Sequence, residues 1–181
     1  MSAREDKPEV CGFAEFEIDT ESPFFYVSEG PVPVGHRDAD WRGMATASAG
    51  RLKLLLPPVL HRARVVVEAY SAEPAGAVDE FDDVIEIDYL SATGTPAVLD
   101  WSQAMVHAST SLSAGPGEYR LRYHVKQLPD ADGDSRGRSL LMASALLQIW
   151  PGSHRGLETV KLTSAFGVFW HPLETKASRT R

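Results

Sequence analysis

Four basic side chains occupy alternate positions in one short stretch, Arg120, Arg122, His124 and Lys126, and they are interleaved with Tyr119, Leu121, Tyr123 and Val125. In an extended strand, alternate side chains leave opposite faces, so the spacing predicts a cationic row backed by an apolar one. Such a row holds anions or pairs with carboxylates on a neighbouring strand. The carboxylates are close by in sequence. Residues 65–119 contain ten Asp and Glu and no Lys or Arg, densest at Asp79, Glu80, Asp82, Asp83, Glu86 and Asp88. A run of that kind forms a solvated loop, an acidic docking face for a basic partner, or a set of oxygen donors for a cation.

Other chemistries find less support. The six histidines, at 36, 61, 107, 124, 154 and 171, show no HxH, HxxxH or HExxH spacing. Asp130, Asp132 and Asp134 alternate like calcium ligands, but Ser135 stands sixth and Leu141 twelfth, where an EF-hand loop needs glycine and glutamate. The phosphate cradles GxxxxGK[ST] and GxGxxG are absent. Cys11 is the single cysteine, which excludes an intramolecular disulfide and a CxxC site. No catalytic residue, metal ligand or cofactor is therefore assigned, and enzymatic activity is the lesser expectation.

The elements that would position these groups read as strands. Residues 13–19 alternate, with Ala14, Phe16 and Ile18 opposed to Glu15, Glu17 and Asp19; residues 63–70 are rich in β-branched side chains; residues 84–90 set Ile85, Ile87 and Tyr89 against Glu86 and Asp88. That alternation predicts that the cationic row pairs across strands with Glu86 and Asp88, or complements the acidic face of a second copy. Further strands are expected at 24–27, 41–48, 119–126, 143–150 and 165–170, with turns at Gly50 and at Gly115-Pro116-Gly117. No amphipathic helix of three turns stands out. The pattern predicts an all-β chain, an antiparallel β-sandwich or flattened barrel of about eight or nine short strands.

A chain of 181 residues with 43% hydrophobic and 24% charged residues fits one domain, here placed at 13–173 between a flexible N-terminus, 1–12, and a flexible tail, 174–181. The formal charge of -7 is uneven: -10 over 65–119 and +5 over 120–181. A field of that sign repels phosphate, so the middle segment is expected to avoid nucleic acid and to favour a basic protein. The opening residues lack a signal peptide's apolar core and no stretch is long enough to span a membrane, so a cytoplasmic location is expected.

Several features in order resemble one known family: the aromatic-rich first strand, Trp41-x-Gly43, the Gly50 turn, the acidic middle, and Leu112-x-Ala114-x-x-Gly117-Glu118-Tyr119-Arg120-Leu121. Together they resemble the competence protein J family, over residues 13–126. Gln148-Ile149-Trp150-Pro151 is similar to a strand in uncharacterised actinobacterial β-rich proteins. The first resemblance implies a small protein that inhibits a DNA-degrading nuclease by binding it. Clustered carboxylates suit a basic DNA groove, and Asp79, Glu80, Asp82, Asp83, Glu86 and Asp88 are nominated as partner-binding residues from their charge. The expectation is thus a non-catalytic protein-binding module, with a homodimer as a further arrangement. The alternative is a β-sandwich that binds a small ligand or cation, with or without enzymatic activity.

Overall fold

The computed structural model describes residues 8–19, 21–30, 43–48, 50–57, 62–76, 79–103, 106–128 and 141–170. Among them are eleven strands and one short helix: β1 (Val10–Asp19), β2 (Phe24–Ser28), β3 (Ala45–Ser48), β4 (Arg51–Leu55), β5 (Arg62–Tyr70), β6 (Asp83–Ser91), β7 (Ala97–Leu99), β8 (Val106–Ser109), β9 (Gly117–Gln127), β10 (Leu141–Pro151), β11 (Glu158–Leu162) and α1 (Ala165–Trp170). Six strands form one sheet in the order β1-β5-β10-β9-β6-β11, five form a second in the order β3-β4-β2-β7-β8, and neither closes into a barrel. The protein is mostly β, as its alternation predicts.

The two sheets share one apolar core because each contributes alternate side chains to it. Phe25, Val27, Leu52 and Leu54 come from the smaller sheet, and Val65, Val67, Ile85, Leu121, Tyr123 and Ile149 from the larger. Burial of each large side chain contributes roughly 1.5–3 kcal/mol. Tyr123 ties the sheets together: its hydroxyl donates to the Leu55 carbonyl at 2.7 Å, and its ring meets Phe25 edge-on. Gly50, at a φ of 67°, turns the chain between β3 and β4, a conformation that L side chains resist.

Several expectations need correction. All pairings are antiparallel except that of β5 with β10, which run parallel. Alternation along a strand says which face is buried but not which way its neighbour runs. β7, β8 and β11, three to five residues long, are not among the strands expected from the sequence. β1 begins at Val10, which pairs with Tyr70.

Residues 165–170, expected as an aromatic strand, form α1 instead. The cause is tertiary. The Asp83 carboxylate accepts from the Ser164 hydroxyl and from the Thr163 and Ser164 N–H groups, at 3.0 and 3.1 Å for the amides, while the Gly167 N–H donates to Ser164 Oγ at 2.9 Å. This cap satisfies amides that an isolated Ala-Phe-Gly-Val-Phe-Trp segment leaves open. A Cβ at Gly167 would collide with that carboxylate, so glycine is required there.

Candidate functional site

The outward face of the larger sheet carries charge where its inward face carries hydrocarbon. In register across five strands lie Glu68, Gln148, Arg122, Glu86 and Glu158, and in the next row Trp150, Arg120 and Asp88. The cationic row of β9 thus pairs with Glu86 and Asp88, as the alternation predicts. Arg122 Nε donates to Glu86 Oε1 at 2.7 Å, and Arg120 donates to Asp88 at 2.6 Å, to Glu86 at 3.2 Å and to Glu158 at 2.7 Å. Arg120 is fully buried and Arg122 and Glu86 nearly so. The Arg122 guanidinium lies 5.0 Å from the Trp150 ring.

Two segments cover this network. Arg122 Nη1 reaches the carbonyls of Pro74 and Gly76 at 3.3 and 2.9 Å, and Arg120 Nη1 reaches that of Gly156 at 2.5 Å. Arg155 meets Glu73 at 3.4 Å and so joins one cover to the other. Asp88 Oδ1 receives the N–H of Arg155 at 3.0 Å and Oδ2 that of Gly156 at 2.6 Å, and His154 Nδ1 lies 2.8 Å from Oδ2. Burial raises the Asp88 pKa, but hydrogen bonds from the Arg155 amide, the Arg120 guanidinium and the Gly156 amide outweigh it and hold the carboxyl below its ordinary value. His124, next along β9, is buried against Phe81 with Nδ1 3.1 Å from the Leu146 carbonyl. Burial first, and then the Arg122 charge, lower its pKa to about 4.

The six nominated carboxylates do not share one environment. Asp79 and Glu80 are exposed in the turn before β6. Asp82 is half-buried, and its carboxylate accepts from the Gln127 amide at 3.2 Å. Asp83 is buried on the inward side as the cap of α1, whereas Glu86 and Asp88 point outward into the arginine network. The turn is held from beneath: Lys161 Nζ donates to the carbonyls of Asp79 and Phe81 at 3.0 and 2.5 Å, and the Thr163 N–H to that of Asp82 at 3.1 Å. Charge counting along the chain detects these acids but cannot separate those already paired.

A shallow recess of about 130 Å³ lies beside the network, lined by Asp88, Leu90, Glu118, Tyr119 and His154 among others. It contains a His–Asp pair, but no serine, threonine or cysteine lines it. Sequence reasoning passes over His154, because nothing in the spacing links it to Asp88. It also overlooks Gly133-Asp134-Ser135-Arg136-Gly137, which has the GxSxG spacing of a serine elbow. That segment, like Asp130 and Asp132, lies outside the described residues. The elements on either side of it are both strands of one sheet, whereas a serine elbow joins a strand to a helix. Among the described residues no three His, Cys, Asp or Glu side chains converge to hold a metal ion, and no helix is long and apolar enough to cross a membrane.

No family model matches the sequence, and no curated protein matches it. Solved structures do resemble it. ComJ from Bacillus subtilis, an inhibitor of the DNA-degrading activity of NucA, superposes with a TM-score of 0.54 at 14% identity, over 80% of this chain and 99% of ComJ. The protein described as crocagin biosynthetic gene J gives 0.44 at 11% identity, over 81% and 99%. The first likeness concerns the fold, and it agrees with the resemblance read from the sequence.

Proposed function

We propose that this chain is a non-catalytic, cytosolic protein-binding module that inhibits a DNA-degrading nuclease through an acidic surface. The observation that carries this reading is the turn at Asp79 and Glu80. Its carbonyls are gripped by Lys161 while both residues stay exposed, in a segment devoid of Lys and Arg. A carboxylate pair on a held loop loses little conformational entropy on meeting a basic groove, and it accelerates encounter through its field. The ComJ-like fold is in keeping with that role.

The test is affinity capture of the tagged chain from lysate of its own organism at low salt, followed by a high-salt wash and a DNA-degradation assay on the eluate. The expected result is a salt-released activity that the purified chain suppresses when added back. An eluate without DNA-degrading activity would overturn the reading. A small-ligand role at the recess, favoured by its His154–Asp88 pair, would then come forward.

A further inference from the structure

The turn that carries Asp79 and Glu80 is part of a larger surface. Lys161 of β11 bonds the carbonyls of Asp79 and Phe81, Thr163 that of Asp82, and Ser164 the carboxylate of Asp83. Residues 79–83 therefore run alongside residues 161–167, and the two form one ledge at the β11 edge of the larger sheet. Exposed apolar side chains stand on the elements that form it. Of the seven large apolar side chains exposed among the described residues, Val160 lies on β11 and Val168 and Phe169 on α1.

Phe169 is 73% exposed. It stands edge-on to Trp170 with centroids 5.1 Å apart, and Trp170 packs in turn against the core. An exposed aromatic ring sheds hydration cost on docking and has only two side-chain torsions to order, which are the properties of an interface anchor.

We infer that this ledge is the docking surface for a protein segment that presents Lys or Arg beside apolar side chains. The inference deepens the inhibitor reading and rests on it for its biological role. Phe169, Val168 and Val160 take the apolar contact, and Asp79 and Glu80 at the margin take the cations. Charge selects this occupant. Between 79–83 and 157–170 the only base is Lys161, already committed to two carbonyls. Two ledges meeting face to face would bring the carboxylates of Asp79 and Glu80 against their copies, and a nucleic acid would be repelled.

The experiment is a titration of the ¹⁵N-labelled full chain at low salt with two synthetic peptides of equal charge, one alternating Lys and Leu and the other Lys and Ser. Amide shifts are expected to concentrate in residues 79–83 and 157–170, with the Lys-Leu peptide binding about tenfold more tightly. Asp79→Asn with Glu80→Gln, and separately Phe169→Ser, should each weaken it by about tenfold while leaving the thermal midpoint unchanged. Equal affinity for the two peptides, no binding, or shifts spread over other carboxylates would overturn the inference. So would a dimer in sedimentation that Phe169→Ser abolishes, since the occupant would then be a second copy. If Phe169→Ser still captures the salt-released nuclease at full affinity, the ledge falls and the inhibitor reading stands on another surface. Peptide binding at the ledge with no captured nuclease has the opposite meaning.

Discussion

Along β9 the inward residues Tyr119, Leu121, Tyr123 and Val125 and the outward residues Arg120, Arg122 and His124 are all buried, yet by different means. The inward set meets the second sheet and is removed from water as hydrocarbon. The two arginines are removed from water as charge, under segments 73–76 and 152–158, and are compensated by Glu86, Asp88, Glu158 and backbone carbonyls, while His124 is buried uncharged against Phe81. Hydrocarbon contacts are many and individually replaceable, whereas a buried charge depends on a few named partners. The larger sheet thus has a tolerant face and a brittle one, and the exposed turn at Asp79 and Glu80 is anchored from the brittle side.

The sharpest break in this contrast is Arg120→Ala. It leaves Glu86 with Arg122 alone and takes the guanidinium from Asp88 and Glu158, and should cost about 3–5 kcal/mol in urea unfolding. A loss below about 1 kcal/mol would mean that the outward face tolerates change as the inward one does. Leu121→Ala, one residue away on the other face, should cost about 3 kcal/mol through its cavity. Because no charge is involved, that loss should be the same in low and high salt.

Acid sharpens the comparison further. The pKa of His124 is about 4 in the folded chain against the usual 6.5, so the unfolded state takes up a proton that the folded state refuses. The stability tied to this residue is complete above about pH 6.5 and is lost as pH falls toward 4, on the order of 3 kcal/mol. Arg122, Glu68 and Glu86 are the charges that act on the ring. Asp88 has the opposite chemistry and a lower window: its depressed pKa supports folding above the unfolded carboxylate value and withdraws that support as pH drops through the folded value. Urea midpoints measured from pH 7 to 4 should fall more steeply for the wild type than for His124→Leu. Parallel curves would remove His124 as the source.

The smallest effect belongs to the exposed acids. Asp79→Asn with Glu80→Gln should leave stability within about 0.5 kcal/mol, because Lys161 grips the carbonyls of the turn and not its carboxylates. A larger loss in thermal denaturation would show that the turn belongs to the brittle face after all.

Much of the fold is legible in the alternation. Period two along residues 13–19, 84–90 and 119–126 places apolar and charged sets on opposite faces, and the pairing of Arg120 and Arg122 with Asp88 and Glu86 follows from it. The same rule accounts for the separation of Asp83 from Glu86 and Asp88, since odd and even positions of β6 leave opposite sides.

Composition and period two alone determined that the chain is mostly β, that β9 has a cationic face and that the middle segment is acidic. They act locally, within a few residues, where side-chain direction is set by backbone geometry. Tertiary structure decided the rest: that β5 runs parallel to β10, that Asp83 turns residues 165–170 into a helix, and that His154 meets Asp88 across 66 positions. It also decided which carboxylates are spent and which are exposed, because charge is neutralised by whatever the fold brings within a few ångströms, and sequence distance carries no record of that.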